Sequence, residues 1–434
     1  MSKHALKLQL SSLDWLTLDA LVGACSIWIG FKLTPYVETG LQNTHHVSLM
    51  TGVILFSILL SCTSHIVGLQ DTNAPNDTWF TVSRSIFSVS LAIVGLAFVV
   101  NVVLYEQLGR YILAQAAFLS FGGLFAGRLI LRHKDLAHRN IGLLGTIEDK
   151  LLLTKALNEV SNSIVFSVET INELQVALNT TSINYLIIAP SKEIYASNHI
   201  LEWQQRGLVV ASFASFMENS LSRIPSSHLT IQWFLDAKFQ RQNTLYTHLK
   251  RLLDVIVGAS GLICAAPFII VFSILLKFGG TVFYSQARVG RNGQIFKIWK
   301  LRSMQDDAEK TGAQWAQKND RRVTKLGKFL RKTRFDETPQ FWNILRGDMS
   351  LIGPRPERPE FIVQLSKEIP FYNQRHVIRP GLTGWAQINY PYGASVEDAA
   401  KKLQFDLYYV KHASVLLDLQ IILRTVGVIM KGSR

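Results

Sequence analysis

The chain has 434 residues, 48% of them hydrophobic and only 18% charged. That balance excludes a disordered polar chain and leans toward a membrane protein of two or three units. The formal net charge of +14 sits wholly in the C-terminal half: residues 247–434 carry 29 Lys and Arg against 15 Asp and Glu, whereas residues 1–246 carry 16 of each. A half so basic is drawn to anionic lipid, nucleotide phosphates or nucleic acid. Cys25, Cys62 and Cys264 lie in apolar runs with no paired spacing, so they are expected to be reduced and packed. The opening MSKHALKLQL shows no secretory leader pattern.

Four apolar stretches, at about 15–33, 47–69, 86–104 and 111–131, approach or reach membrane-spanning length. Lys3 and Lys7 precede the first, and Arg132, Lys134 and Arg139 follow the fourth, while residues 34–46 hold no Lys or Arg. By the positive-inside rule both ends of this set are cytoplasmic, which needs an even number of spans. A four-helix transmembrane bundle over 1–134 is therefore expected.

From about 135 to 227 the composition is that of a soluble domain. NIGLLGTI, SIVFSV, INYLIIAP and LVVASF read as short buried strands separated by polar segments of helical period. That alternation predicts a central Rossmann-like α/β domain with a parallel sheet. It lacks the G-x-G-x-x-G turn of dinucleotide sites, so a structural or dimerising role is favoured. Residues 228–251 mix apolar and basic positions and read either as an interfacial helix or as an ordinary linker helix.

A fifth apolar run, LLDVIVGASGLICAAPFIIVFSILL, is also long enough to span. Lys250 and Arg251 precede it, Lys277, Arg288 and Arg291 follow it, and Pro267 lies near its middle. Positive charge on both flanks places both ends on one side of the membrane, and an internal proline kinks a helix. A re-entrant membrane helix over 252–277 is expected, with a straight fifth span as the alternative. The next segment, GGTVFYSQARVGRNGQIFKIWKLRSM, alternates apolar residues about Arg291-Asn292-Gly293 and predicts a small β-hairpin. Its basic residues, including Lys300 and Arg302, are either a solvated face or ligands of anionic groups.

The stretch RRVTKLGKFLRKTRF predicts an amphipathic helix leading to the acid pair Asp336-Glu337 and then Pro339. Two compatible readings of the pair stand here. Acids beside a proline suit the positive end of a helix, and carboxylates can also act as nucleophile or hold a metal. About twenty residues on, Pro354-Arg355-Pro356 with Arg358 makes a stiff arginine loop suited to phosphate. Farther along, GLTG is either an anion-binding turn or a structural one, and neither His376 nor His412 has metal-ligand spacing.

FYSQARVGRNG, KLRSM, DETPQ, RGDMSLIGPRPE, RPGLTGWAQINYPYGASVEDA and FDLYYVKHASVLLDL, in that order, resemble the bacterial polyprenyl-phosphate hexose-1-phosphate transferases. The likeness is closest to the large exopolysaccharide-type members with four spans and a central domain. It implies a C-terminal, α-rich catalytic domain over 252–434. It also implies transfer of hexose-1-phosphate from a UDP-hexose to undecaprenyl phosphate, with release of UMP. The site would face the cytoplasm at the bacterial inner membrane, in an enzyme of exopolysaccharide or O-antigen initiation. Asp336 would be the nucleophile, and Glu337 together with Asp336 would hold Mg²⁺. Arg355 and Arg358 would bind the diphosphate, and Lys300, Arg302, Gln340, Arg379, Pro354 and Pro356 complete the implied substrate set. The larger members also suggest a homodimer.

Three positions depart from the family pattern: Ala266-Pro267 where Ser-Pro is common, Gly280-Thr281 where Gly-Pro is usual, and Thr338-Pro339 where Leu-Pro follows the acids. They touch kink geometry and local packing and remove no candidate catalytic group. A non-catalytic membrane scaffold would be marked by a missing acid pair or arginine cluster, and both are present. No nucleic-acid recognition motif accompanies the basic half, so no nucleic-acid partner is expected.

Overall fold

The computed structural model describes residues 12–33, 48–69, 78–104, 109–132, 140–158, 164–181, 183, 185–229, 244–305, 320–390, 393 and 395–430. The flanking lysines 3 and 7, the loop 34–46, the basic run 133–139 and residues 230–243 of the expected linker lie outside these. The chain divides into two compact units, one of residues 1–140 with 154–164 and one of 141–153 with 165–434.

The first unit contains α1 (Ser12–Leu33), α2 (Leu49–Ile66), α3 (Thr78–Phe98) and α4 (Arg110–Arg132). Helix α1 packs on α2 and α4, and α3 packs on the same two. They enclose Ile27, Phe56, Leu60, Leu96 and Leu124. All four are long and apolar enough to cross a membrane. Helix α3 begins eight residues before the apolar run at 86, because Arg84 is neutralised locally: it donates to the Gly68 carbonyl beyond α2 and lies 3.8 Å over the Phe80 ring. Inside the unit, Arg128 forks onto Asp19, with Nη2 2.7 Å from Oδ2, and Ser64 donates to the same oxygen at 2.5 Å. Cys25 and Cys62, like Cys264 in the second unit, are free but exposed, against the expectation of packing. They sit on helix faces that the core does not use.

In the second unit β1 (Asn140–Leu144), β2 (Ile164–Val168), β3 (Tyr185–Ile188) and β4 (Val209–Ser212) form one sheet in the order β2-β1-β3-β4. The β1–β3 and β3–β4 pairs are parallel. Helices α5 (Ile147–Asn158), α6 (Ile171–Thr180), α7 (Glu193–Ala196), α8 (Ile200–Gln205) and α9 (Phe213–Leu221) connect and follow the strands. All four short apolar segments became strands, since β-branched runs bounded by turns leave little else for them to be. The end of α9 ties this sheet to the C-terminal part. Glu218 accepts from Lys411 and contacts His412 at 2.6 Å, and the Trp385 indole donates to the Ser222 carbonyl at 2.9 Å.

Helix α10 (Thr244–Lys277) is a single 34-residue helix with Pro267 inside. It starts inside the expected linker, because the two charges that break its hydropathy are both satisfied by neighbours. Lys250 pairs with Asp418 at 2.9 Å, and Arg251 donates to the carbonyls of Ile344 and Leu345. One face of α10 stays on the C-terminal domain along its length. Asp254 accepts from Ser350 Oγ and Leu351 N, the Phe268 ring lies tilted against Phe335 with centroids 5.1 Å apart, and Leu276 is buried with Leu301 and Leu330. A methyl group on Gly261 would lie 2.8 Å from the Phe341 ring, so only glycine allows that approach. The opposite face, with Leu252, Ile256, Ile263, Ile270 and Ile274, is exposed.

The hairpin forms as expected: β5 (Phe283–Val289) pairs antiparallel with β6 (Ile295–Leu301) across a turn with positive φ at Asn292 and Gly293. The amphipathic segment becomes α11 (Lys325–Thr333), capped by Thr324. Then follow α12 (Gln340–Arg346), β7 (Ser350–Ile352), α13 (Pro359–Glu368), β8 (Gly381–Thr383), α14 (Trp385–Asn389), α15 (Val396–His412) and α16 (Val415–Met430). Strands β7 and β8 pair in parallel. The chain is thus rich in apolar helices, with a mixed α/β region and a largely helical C-terminal part.

The Asp19–Arg128 pair sets a stability expectation. Arg128→Ala leaves a buried, uncompensated carboxylate and should destabilise the first unit by about 3–5 kcal/mol, whereas the double change Asp19→Leu with Arg128→Met should cost far less. Thermal unfolding of the detergent-solubilised chain measures both.

Candidate active site

A left-handed residue, Arg334 at φ 62°, ends α11 and turns the chain into a 3₁₀ segment, Phe335–Glu337. This short turn buries both acids, Asp336 at 6% and Glu337 at 8% exposure. Helix α12 follows with Pro339 at its N-cap and no side-chain cap bond, so neither carboxylate caps it. The capping reading of the pair is not what the structure shows.

Three cations converge on Glu337. Lys300 Nζ, projected from β6, lies 3.1 Å from Oε1, and Arg355 Nη2 lies 2.6 Å from the same oxygen. Arg334 Nη1 is 3.6 Å from Oε2. Burial alone would push the Glu337 carboxyl up, but the charges of Arg355, Lys300 and Arg334 outweigh it and hold the group well below the carboxylate range. Asp336 goes the other way: burial raises its carboxyl, and the neighbouring Glu337 charge adds to the rise. Burial also pushes the Lys300 ammonium below its usual value, against the pull of Glu337. The two adjacent carboxylates are thus driven apart, Glu337 held ionised by its cations and Asp336 left with a raised proton affinity.

Two buried polar atoms here lack any hydrogen-bond partner among the described residues: Asp336 Oδ1, an acceptor, and Gln340 Nε2, a donor. Buried groups of this kind are normally satisfied, so the unmet acceptor calls for a cation or a donor and the unmet donor four residues on calls for an acceptor such as a phosphate oxygen. Glu337 is already saturated with cations. A magnesium ion fits the pair through Asp336 Oδ1, since Mg²⁺ is usually bound by one or two carboxylates plus substrate phosphates. No cluster of three or more His, Cys, Asp or Glu stands near it among the described residues, so no all-protein cage is built.

The structure sorts the expected residues. Asp336, Glu337, Lys300 and Arg355 come together, with Gln340 next along the chain. Pro354 and Pro356 are buried and shape the arginine loop. That loop starts where two backbones touch: a methyl on Gly381 would sit 2.0 Å from the Gly353 nitrogen. Arg302 is occupied elsewhere, donating to the carbonyls of Leu276 at 2.9 Å and Gly279 at 2.5 Å, where it closes the end of α10. Arg358 precedes α13, 3.5 Å from Glu360 and over the Phe361 ring. Arg379 lines a cleft with Lys250, Asp254 and Arg291, pushed down by burial and by Arg251 and Arg291. Arg334 was missed as a site residue; its position three before Glu337, followed by a break in the helix, was the available signal.

Residues 245–432 match the bacterial sugar transferase family. The uncharacterised sugar transferase EpsL of Bacillus subtilis is 40% identical over 185 residues, 41% of this chain and 85% of that protein. The chain belongs to this family. A UDP-N-acetylgalactosamine-undecaprenyl-phosphate N-acetylgalactosaminephosphotransferase of Aeromonas hydrophila is 44% identical over 190 residues, 43% of this chain and 45% of that protein. A UDP-glucose:undecaprenyl-phosphate glucose-1-phosphate transferase of Klebsiella pneumoniae is 43% identical over 181 residues, 41% of this chain and 39% of that protein. The match thus spans less than half the length of these two relatives. It covers α10 and nearly all that follows, including every residue of the acid–arginine site.

The opposed shifts give a stability signature. Glu337 stabilises the fold fully above its unfolded value of about 4.5 and loses that contribution as pH falls toward its depressed folded value. Melting temperature should therefore drop below pH ~4.5, with a shallower drop in Glu337→Gln. Asp336 is raised, so its ionisation works against the fold as pH rises, and Asp336→Asn should melt higher than wild type at neutral pH. Calorimetric scans of the solubilised chain from about pH 2 to pH 7 read both effects.

Proposed function

We propose that the chain transfers a sugar-1-phosphate from a UDP-sugar to undecaprenyl phosphate, giving undecaprenyl-diphospho-sugar and UMP. The observation that carries this reading is the buried Asp336 with an unpartnered oxygen, beside a Glu337 that three cations hold ionised. The names of the Aeromonas and Klebsiella relatives support the same substrates.

Asp336 attacks the phosphorus that bears the sugar. A bond forms from a carboxylate oxygen to that phosphorus, and the phosphoanhydride bond to the UMP oxygen breaks, with the electron pair leaving on UMP. In the second step a phosphate oxygen of undecaprenyl phosphate attacks the same phosphorus. The acyl-phosphate bond breaks and Asp336 regains its carboxylate. Burial favours this nucleophile because a carboxylate stripped of water is more reactive, and the upward push makes it more basic. Arg355 and Lys300 shift from Glu337 toward the diphosphate as it arrives, and Gln340 Nε2 donates to a phosphate oxygen. Glu337 keeps those cations in place between turnovers. Asp336 Oδ1 would hold a magnesium ion, which would supply charge neutralisation at the phosphates.

The site lies at the cytoplasmic face of a bacterial inner membrane in this reading. Helices α1–α4 are the transmembrane bundle, and α10 is the re-entrant helix. Two facts support α10 lying in one leaflet: its ends are both flanked by positive charge, and one face stays on a polar domain along its length while the other is apolar and exposed. A helix crossing the bilayer alone would meet lipid on all sides at mid-depth. The work done is the first committed step of exopolysaccharide or capsule assembly.

Purified full-length chain with Mg²⁺ and undecaprenyl phosphate should release UMP from a UDP-sugar in a panel that includes UDP-glucose and UDP-N-acetylgalactosamine. Asp336→Asn should lower that rate by at least about a thousandfold, the scale of losing a covalent nucleophile. Turnover of Asp336→Asn at the wild-type rate would remove it as the nucleophile.

A further inference from the structure

The arginine loop poses a problem of attachment. Pro354 and Pro356 have no N–H groups, so the loop can be held chiefly through its carbonyls. Four consecutive carbonyls are met from three elements, two of them from β5. Pro354 O accepts from Gly381 N at 2.9 Å, and Pro356 O from Arg288 Nη1 at 3.0 Å. Glu357 O accepts from Val289 N at 3.0 Å. The carbonyl of Arg355 itself accepts from the guanidinium of Arg375 Nη2 at 2.9 Å.

Arg375 is only 5% exposed, and it is held by two further groups. Its Nη2 is 2.7 Å from Asp406 Oδ2, and its Nη1 donates to the Tyr372 hydroxyl at 2.6 Å. Asp406, on α15, is 1% exposed. A buried cation is costly unless paired, and a backbone carbonyl is a poor reason on its own to bury one. What the arrangement achieves is geometric. A guanidinium donates in a rigid plane, so the Tyr372 hydroxyl on Nη1 and the Asp406 charge 2.7 Å from Nη2 together hold in place the Nη2 that donates to the Arg355 carbonyl. The Arg355 carbonyl is pinned to that donor, and Arg355 reaches Glu337 from the other side of the same residue.

We propose that Arg375, braced by Asp406 and Tyr372, is a positioning residue that aims the Arg355 guanidinium at the donor diphosphate. The inference rests on the reading of Arg355 as a diphosphate ligand. Arg375 does not touch substrate; it acts through Arg355. A lysine at 375 keeps the charge but loses the planar fork, and Tyr372→Phe removes one brace while keeping the ring.

The test is a double-mutant cycle on UDP binding, measured by titration calorimetry on the full-length chain in detergent with Mg²⁺. UDP alone is the probe, so the identity of the sugar does not enter. Arg355→Ala should weaken UDP binding by about tenfold or more, the scale of a charge-assisted hydrogen bond. Arg375→Lys should weaken it by roughly fivefold, and the Arg355→Ala/Arg375→Lys double variant should match Arg355→Ala alone within about twofold. A merely structural role for Arg375 would multiply the two losses, and that outcome overturns the proposal. So does wild-type affinity in Arg375→Lys. Should Arg375→Lys fail to fold by its melting curve, Tyr372→Phe takes its place in the cycle, with a loss of about threefold expected that vanishes beside Arg355→Ala. A multiplied loss, or none, in Tyr372→Phe overturns the proposal equally. Wild type that does not bind UDP, or Arg355→Ala that binds it normally, sinks the reading of the site itself, and is told apart because no change at 375 is involved.

Discussion

One carboxylate organises the C-terminal domain. Glu337 is buried, and Lys300, Arg355 and Arg334 reach it from a hairpin strand, a proline-stiffened loop and the end of a helix. These elements share no secondary-structure hydrogen bonds with one another at that point. The shared counter-ion brings positive charge together, which by itself would repel. Burial raises the neighbouring Asp336, and the Glu337 charge adds to the rise against the pull of the surrounding cations. The acid pair thus works as a couple: one member stores cations, and the other is left with an unsatisfied oxygen.

Helix α10 serves as the base on which this site rests. Its C-terminal carbonyls are closed by Arg302, which directly follows the strand that carries Lys300. Its middle packs on Phe335, the residue before Asp336, and its first turns pack on the segment that leads into the arginine loop. One long helix therefore sets the spacing of both acid and arginine. The other face of the helix is apolar and exposed, so the element that holds the site's geometry is also long and apolar enough to enter a membrane.

Much of this was legible in the sequence, for definite reasons. The strands of the α/β region were short apolar runs between turn residues, and the hairpin had a turn that needs positive φ. The acids and the proline–arginine loop were visible because each is locally unusual. Less legible were pairings between residues far apart in the chain. Arg302 looked like a phosphate ligand until its helix-end carbonyls were seen, and Arg379 stands among Lys250, Asp254 and Arg291 instead of beside the acids. Arg375 and Asp406 carry no local signal: an arginine in a polar stretch and an aspartate on an amphipathic helix look solvated until tertiary packing buries both. Residue 86 was misread as the start of α3 because hydropathy counts Arg84 as a charge and cannot see the carbonyl that satisfies it.

The central claim is that Asp336 forms a bond to the phosphosugar before the lipid arrives. Intact-protein mass spectrometry of the wild-type chain, mixed with Mg²⁺ and UDP-glucose or UDP-N-acetylgalactosamine but no lipid acceptor, tests it most directly. The account predicts a mass gain of one phosphosugar, matched by one equivalent of UMP, that maps to Asp336 and disappears when undecaprenyl phosphate is added. UMP release that occurs only when donor and lipid are present together, with no adduct on the protein, would contradict it.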